Sequence, residues 1–309
     1  MPIFAYFGPA GTFTEMALDR LLTTSVADAD DAQRVPAASP AAAVAMVRSG
    51  DADFACVPIE SSLEGTVPAT MDALVPRSDE HRVQAYAEVA LDIAFTIAAR
   101  APMADDDVRT VAAYPVASAQ VRQSVQCRFP NAEFVLATSN SGAAQDVSAG
   151  KADAAVTTPI AAGLYGLTPL AEGVADSDDA VTRFLLIGRP GPPPPRTGAD
   201  RTSVILELPN APGSLVRAMT ELAARGVDLT GIVSRPRGPG SPDEYRFFLD
   251  AAGHLDDDAV GEALRALHRS CERVIYLGSW PVDRANGAAA PRGHDESIRW
   301  FQALREGGD

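Results

Sequence analysis

Lysine is almost missing from this chain: Lys151 is the only one in 309 residues. A Schiff-base enzyme, or a nucleotide loop with a phosphate-gripping lysine, would have to rest on that one side chain. Cysteine is scarce too. Cys56, Cys127 and Cys271 are odd in number and far apart, the pattern of reduced structural thiols rather than of a disulfide framework. His81, His254, His268 and His294 show no metal-ligand spacing, so a zinc site is not expected. No apolar run reaches the length of a membrane span, and the N-terminus lacks the basic segment and apolar core of a secretory signal. A cytoplasmic location without a membrane partner is the expectation. The net charge of -15 argues against nucleic acid and anionic membranes, which reward basic surfaces. An anionic substrate must then be drawn in by a few local positive groups.

What is present falls into parts. The run Gly188–Arg201 holds consecutive prolines, which fit neither a helix interior nor a central strand, and it reads as a stiff connector over 191–200. Residues 1–190 alternate short apolar runs with alanine-rich helical patterns, which implies mainly parallel α/β sheets. Strands are expected at 108–114, 132–137 and 182–188, and helices at 12–22 and 116–129. An internal repeat runs at a constant offset of one hundred: Ser39, Ala43, Val47, Gly50, Ala52 and Asp53 match Ser139, Ala143, Val147, Gly150, Ala152 and Asp153. Each copy reads as a serine-capped helix closed by glycine and followed by a buried strand. Two related α/β lobes around a cleft are expected, with ligands at the carboxyl ends of the strands. Residues 201–282 read as βαββαβ, a ferredoxin-like order. The tail 283–309 carries one short amphipathic pattern.

Three stretches could carry chemistry. Phe7–Glu15, "FGPAGTFTE", is a turn shaped by Gly8, Pro9 and Gly11. It opens a helix whose first amides, on Thr12, Phe13 and Thr14, suit an anion. A plain capped helix is the alternative. In Cys56–Thr70 a strand ends by delivering Glu60, Ser61 and Ser62, and Gly65 follows; there Glu60 could equally be a solvated strand-end acid. In "AVTRFLLIG" Thr182 and Arg183 stand at the entry of a buried strand. An arginine there needs a partner: Asp176, Asp178 or Asp179 in a surface pair, or a substrate carboxylate held in two-point fashion.

Together these motifs resemble the prephenate dehydratase family with a C-terminal ACT regulatory domain. Gly8–Ala17 is similar to its G-P-x-G-T-F-[ST]-x-x-A signature. Val57–Glu60, Ser62 and Gly65 resemble V-P-I-E-N-[ST]-x-x-G, and Thr182, Arg183 and Phe184 match T-R-F. Asn210–Val216 resembles N-x-P-G-A-L-V, and Val233–Pro236 resembles E-S-R-P. Ser61 departs from asparagine, Tyr114 from a common histidine, Ser214 from alanine and Val233 from glutamate. The resemblance implies a bilobed, periplasmic-binding-protein-like catalytic domain. It also implies conversion of prephenate to phenylpyruvate, carbon dioxide and water without a cofactor, and inhibition by phenylalanine in a homo-oligomer, a dimer or tetramer. The implied catalytic residues are Thr182, Arg183, Phe184, Glu60 and Ser62. Pro9, Gly11, Thr12, Phe13, Thr14, Ser61 and Gly65 would bind substrate. Asn210, Pro212, Gly213, Ser214, Leu215, Val216, Ser234, Arg235 and Pro236 would bind the effector. An arogenate dehydratase, or a carboxylate sensor without catalysis, remains the rival reading.

Overall fold

The computed structural model describes residues 1–309 apart from 24–31, 79, 178, 239–242, 285–289, 292, 294 and 308–309. It forms two compact units, Met1–Ala73 with Val89–Ile187, and Leu74–Glu88 with Gly188–Asp309. The chain thus divides less simply than the proline run suggests, since the segment Leu74–Glu88 counts with the second unit.

The first unit contains two lobes built on one plan. The first lobe runs β1 (Ile3–Phe7), α1 (Phe13–Thr23), β2 (Gln33–Ala37), α2 (Pro40–Ser49) and β3 (Phe54–Ser61), then a short hairpin strand β4 (Gly65–Thr66) and α3 (Pro68–Leu74). Through β5 (Gln84–Asp92), of which Val89–Asp92 belong here, the chain enters the second lobe. That lobe holds β6 (Phe95–Ala99), β7 (Thr110–Ala113), α4 (Pro115–Gln120), α5 (Arg122–Arg128), β8 (Glu133–Leu136), α6 (Asn140–Ser148), β9 (Ala154–Thr157), α7 (Pro159–Leu164) and β10 (Thr168–Val174). The chain returns by β11 (Val181–Gly188), which lies between β3 and β5. The sheets are ordered β2-β1-β3-β11-β5 and β10-β6-β9-β7-β8. The cores β2-β1-β3 and β8-β7-β9 are parallel, as the alternating pattern implies. β6 joins β9 and β10 antiparallel, so the second sheet is mixed.

The internal repeat is physical. Ser39 Oγ accepts from Ala42 N at 3.1 Å and Ser139 Oγ from Gly142 N at 2.8 Å, so both capping serines do their expected work. Asp53 accepts from Ile3 N at 2.8 Å, and Asp153 accepts from Arg109 N and Thr110 N at 3.0 and 2.9 Å. Each aspartate ties down the start of the neighbouring strand. Burial works against ionisation of Asp153, but the Thr110 hydroxyl and the two amides outweigh it and hold its carboxyl below the usual range.

Phe4, Leu18, Leu21, Val44 and Val57 fill the first lobe. In the second, Val108, Val111 and Phe129 pack on one face and Ala112, Ala143, Ala144 and Ala155 on the other. The helix expected over 116–129 is two helices broken at Val121, which sits at φ -126°, ψ 12°. Asp176 explains the break. Its N–H takes the carbonyl of Gln120, while its carboxylate accepts from Gln123 N and Ser124 N at 2.8 Å each, capping the new helix.

The second unit carries β12 (Asp200–Glu207), α8 (Ser214–Ala223), β13 (Leu229–Pro236), β14 (Tyr245–Ala252), α9 (Asp258–Ser270), β15 (Arg273–Pro281) and the tail helix α10 (Asp295–Arg305). Its antiparallel sheet, β13-β14-β12-β15, is the expected ferredoxin-like arrangement. The proline run is stitched down. Arg189 O accepts from the Tyr86 hydroxyl, Gly191 O from Gln84 Nε2 and Pro194 O from His254 Nε2, while Arg196 pairs with Asp257. Asp200, expected to end the connector, already opens β12. Beneath it Arg201 pairs with Glu88 at 3.0 Å and Asp250 at 3.2 Å, and Trp280 Nε1 donates to Glu88 at 3.0 Å. Arg201 and Glu88 side chains are only 10% and 3% exposed, so removing one partner strands a buried charge. Arg201→Ala is expected to lower unfolding free energy by about 3–5 kcal/mol, read from the urea midpoint with an unchanged slope.

Candidate active site

The turn after β1 is built by two glycines and one glutamate. Gly8 and Gly11 lie at φ +113° and +84°, where a side chain is strained. A Cβ on Gly11 would come within 2.8 Å of Ala161 Cβ. Glu15, one turn into α1, reaches back to accept from Gly11 N at 2.5 Å and from the Tyr6 hydroxyl at 3.4 Å. Burial, with the Glu15 charge and hydrogen bond behind it, pushes the Tyr6 phenol up to about 12. The amides that start α1 have no acceptor within the helix, so the turn offers donors to the space in front of it.

Strand periodicity sorts the motif on β11. Successive side chains of a strand point to opposite faces. On β11, Thr182 and Phe184 line the cleft, whereas Arg183 turns away and pairs with Glu60 at 3.0 Å. On β3, Ser61 lines the cleft and Glu60 does not. Ser62 serves the backbone: its hydroxyl donates to Asp179 O at 2.7 Å and accepts from Val181 N at 2.9 Å, bracing the residue before Thr182. Of the surface partners considered for Arg183, Asp178 lies outside the described residues, and the pair shown is with Glu60. Pro9, Thr12, Phe13 and Thr14 line the cleft; Gly11 and Gly65 do not, the first being packed on Ala161 and the second shaping the β3–β4 hairpin at φ +78°.

The resulting cavity measures about 840 Å³ and lies between the lobes. Phe13 and Phe95 meet edge-on in its wall, ring centroids 5.4 Å apart. The second lobe contributes Tyr114, Gln120, Thr138, Ser139 and Asn140, none of which belongs to a motif read from the sequence as a site. Gln120 Oε1, Asn140 Oδ1 and Thr12 Oγ1 are buried and have no hydrogen-bond partner among the described residues. The repeat was the available signal, because it implied a second strand-to-helix edge facing the first. Among the described lining residues there is no lysine or arginine, and Glu64 is the one carboxylate. The described residues hold no cluster of metal-ligating side chains, and no helix is long and apolar enough to cross a membrane.

Residues 4–192 match the family model "Prephenate dehydratase", and residues 202–269 the model "ACT domain". The chain belongs to the prephenate dehydratase family. A prephenate dehydratase of Mycolicibacterium vanbaalenii is 56% identical over 315 residues, covering 99% of both chains. A crystal structure of prephenate dehydratase from Arthrobacter aurescens in complex with L-Phe superposes with a TM-score of 0.85 at 36% identity, covering 98% of this chain and 99% of that one. A structure described as GqqA, a quorum-quenching acylase, superposes with a TM-score of 0.79 at 27% identity, covering 91% and 98%. This member is an enzyme of the dehydratase family with its ACT domain behind the catalytic part.

The cleft wall at Gln120 depends on Asp176, whose N–H donates to the Gln120 carbonyl. Burial opposes ionisation of Asp176, but hydrogen bonds from the Ser124 hydroxyl and the Gln123 and Ser124 amides hold its carboxyl below the usual range. A carboxyl depressed by folding stabilises above the unfolded pKa and loses that effect as pH falls through the lowered value. Asp176→Asn should therefore melt below the parent protein at neutral pH. The gap should close in acid, as followed by thermal unfolding across a pH series.

Proposed function

We propose that the cleft converts prephenate to phenylpyruvate with Thr182 at the leaving hydroxyl. The ring loses its carboxylate as carbon dioxide, the electron pair of that bond enters the ring, and the hydroxyl departs. One proton delivered to it completes water. The observation that carries this reading is the convergence of Thr12, Gln120, Asn140 and Thr182 on one cavity without a cationic side chain. The α1 amides suit the carboxylate that is kept. Phe13, Phe95 and Phe184 surround the other with apolar surface, which favours its conversion to neutral carbon dioxide. Glu60 pairs with Arg183 and Ser62 braces Val181, so both hold the backbone beside Thr182. Free thiols at Cys56, Cys127 and Cys271 suit a reducing cytoplasm.

Glu64 favours a second reading. A carboxylate in the cleft could receive the amine of arogenate, which replaces the keto group of prephenate. Comparing kcat/KM for the two substrates decides between them, and absence of turnover with either would favour a sensor.

Phenylalanine is the proposed effector, bound by the second unit at an interface with another copy. Gly213 at φ +79° caps α8, and Arg217 donates to Pro212 O at 3.2 Å and to Ser214 Oγ at 3.0 Å, so Ser214 gives that arginine an anchor. β13, with Ser234–Pro236, is an edge strand, and Ile232 and Val216 are 50% and 68% exposed, surfaces that pairing of copies would cover. Complex formation of the Arthrobacter relative with L-Phe supports this reading.

Thr182→Ala is expected to lower kcat about a hundred- to ten-thousand-fold, with Thr182→Ser retaining most activity, as measured by phenylpyruvate formation. Gly213→Ala should leave turnover unchanged in the absence of phenylalanine. It should raise the phenylalanine concentration for half-inhibition about tenfold, a loss of about 1.4 kcal/mol of coupling.

A further inference from the structure

The turn that faces the cleft is held from behind by the opposite lobe. Ser141 Oγ donates to Ala10 O at 2.5 Å and Thr158 Oγ1 donates to Gly11 O at 2.6 Å. Both hydroxyl residues are buried, at 1% and 0% exposure, although neither carries out any step assigned above. They act from one piece of the second lobe, because Thr157 Oγ1 donates to Asn140 O at 2.7 Å and ties the end of β9 to the start of α6. Packing closes the same contact. A Cβ at Gly11 would lie 3.0 Å from Ser141 Oγ as well as 2.8 Å from Ala161 Cβ, so the second lobe packs directly against the turn there.

We propose that Ser141 and Thr158 are positioning residues that orient the Gly8–Thr14 turn toward the substrate carboxylate. Within one peptide plane the carbonyl and the following N–H point in opposite directions, so fixing Ala10 O and Gly11 O toward the second lobe fixes the amides of Gly11 and Thr12 the other way. Gly11 N is taken by Glu15, and the next donors are those that open α1. With no lysine or arginine among the described lining residues, these dipoles are the positive end available to an anion, and a dipole is useful only when its direction is set. A flexible charged side chain could follow its substrate; a peptide cannot.

The inference rests on the dehydratase reading, and its test separates the two. Steady-state kinetics with prephenate would compare the parent enzyme, Ser141→Ala, Thr158→Val and Thr158→Ser, each with a thermal melt. The expected result is a KM raised about tenfold in Ser141→Ala and Thr158→Val, the scale of one hydrogen bond, with kcat changed less. Thr158→Ser, which keeps the hydroxyl and its cap on Ala161 N, should restore the parent KM. Parent-like KM in Ser141→Ala and Thr158→Val alongside lowered melting temperatures would overturn the proposal, leaving the two hydroxyls as stability contacts only. Should Thr158→Val fail to fold, Ser141→Ala decides alone, since its hydroxyl makes one hydrogen bond and caps nothing. An inactive parent enzyme would instead refute the dehydratase reading itself.

Discussion

Two carbonyl oxygens, those of Ala10 and Gly11, are gripped by hydroxyls from the facing lobe, and the chemistry of the cleft depends on that grip. The chain has 26 basic residues against 41 acidic ones, and none of the basic ones lines the described cavity. A doubly charged substrate must therefore be met by peptide groups. Such groups have partial charges and no reach, so their effect is decided by how rigidly the surrounding fold aims them. Gly11, Glu15, Ala161, Ser141 and Thr158 all serve that aim without touching the cavity.

The arrangement also assigns the charged members of the motifs a different kind of work. Arg183 and Glu60 neutralise each other at 3.0 Å on the far side of their strands, and Ser62 binds the backbone at Val181. Thr182 is consequently held in place by neighbours that do not share its face. A cleft kept free of compensating cations remains a poor solvent for a carboxylate, which matches a reaction that ends with one carboxylate fewer.

Much of the fold was legible because its signals are local. Serine caps, closing glycines and the repeated aspartate mark α2, α6, β3 and β9 in matching positions, and the second unit alternates in a clear βαββαβ order. The exchange of strands was not legible. β5 and β6 follow one another with little between them yet belong to different sheets, and no local pattern records which sheet a buried strand joins. The break at Val121 was hidden for a similar reason, since Asp176, far along the chain, supplies the competing hydrogen bonds. In the site, Thr12, Ser61, Thr182 and Phe184 could be found from motifs. Gln120 and Asn140 could not, because they enter from a lobe whose contribution is set by tertiary placement. The side to which Arg183 turns follows from strand alternation once β11 is placed.

β11 slots between β3 and β5, and Glu88 meets Arg201 and Trp280, which come from far later in the chain. On the ribosome, the sheet begun by the first residues therefore stays open until residues near 188 emerge. The Glu88 carboxylate on β5 waits longer still, until Arg201 and then Trp280 are made. Late non-local closure of this kind slows folding and lengthens exposure to misassembly. A polypeptide ended before β11 would lack the strand that joins β3 to β5, and so would be open to proteolysis rather than persist as an active fragment.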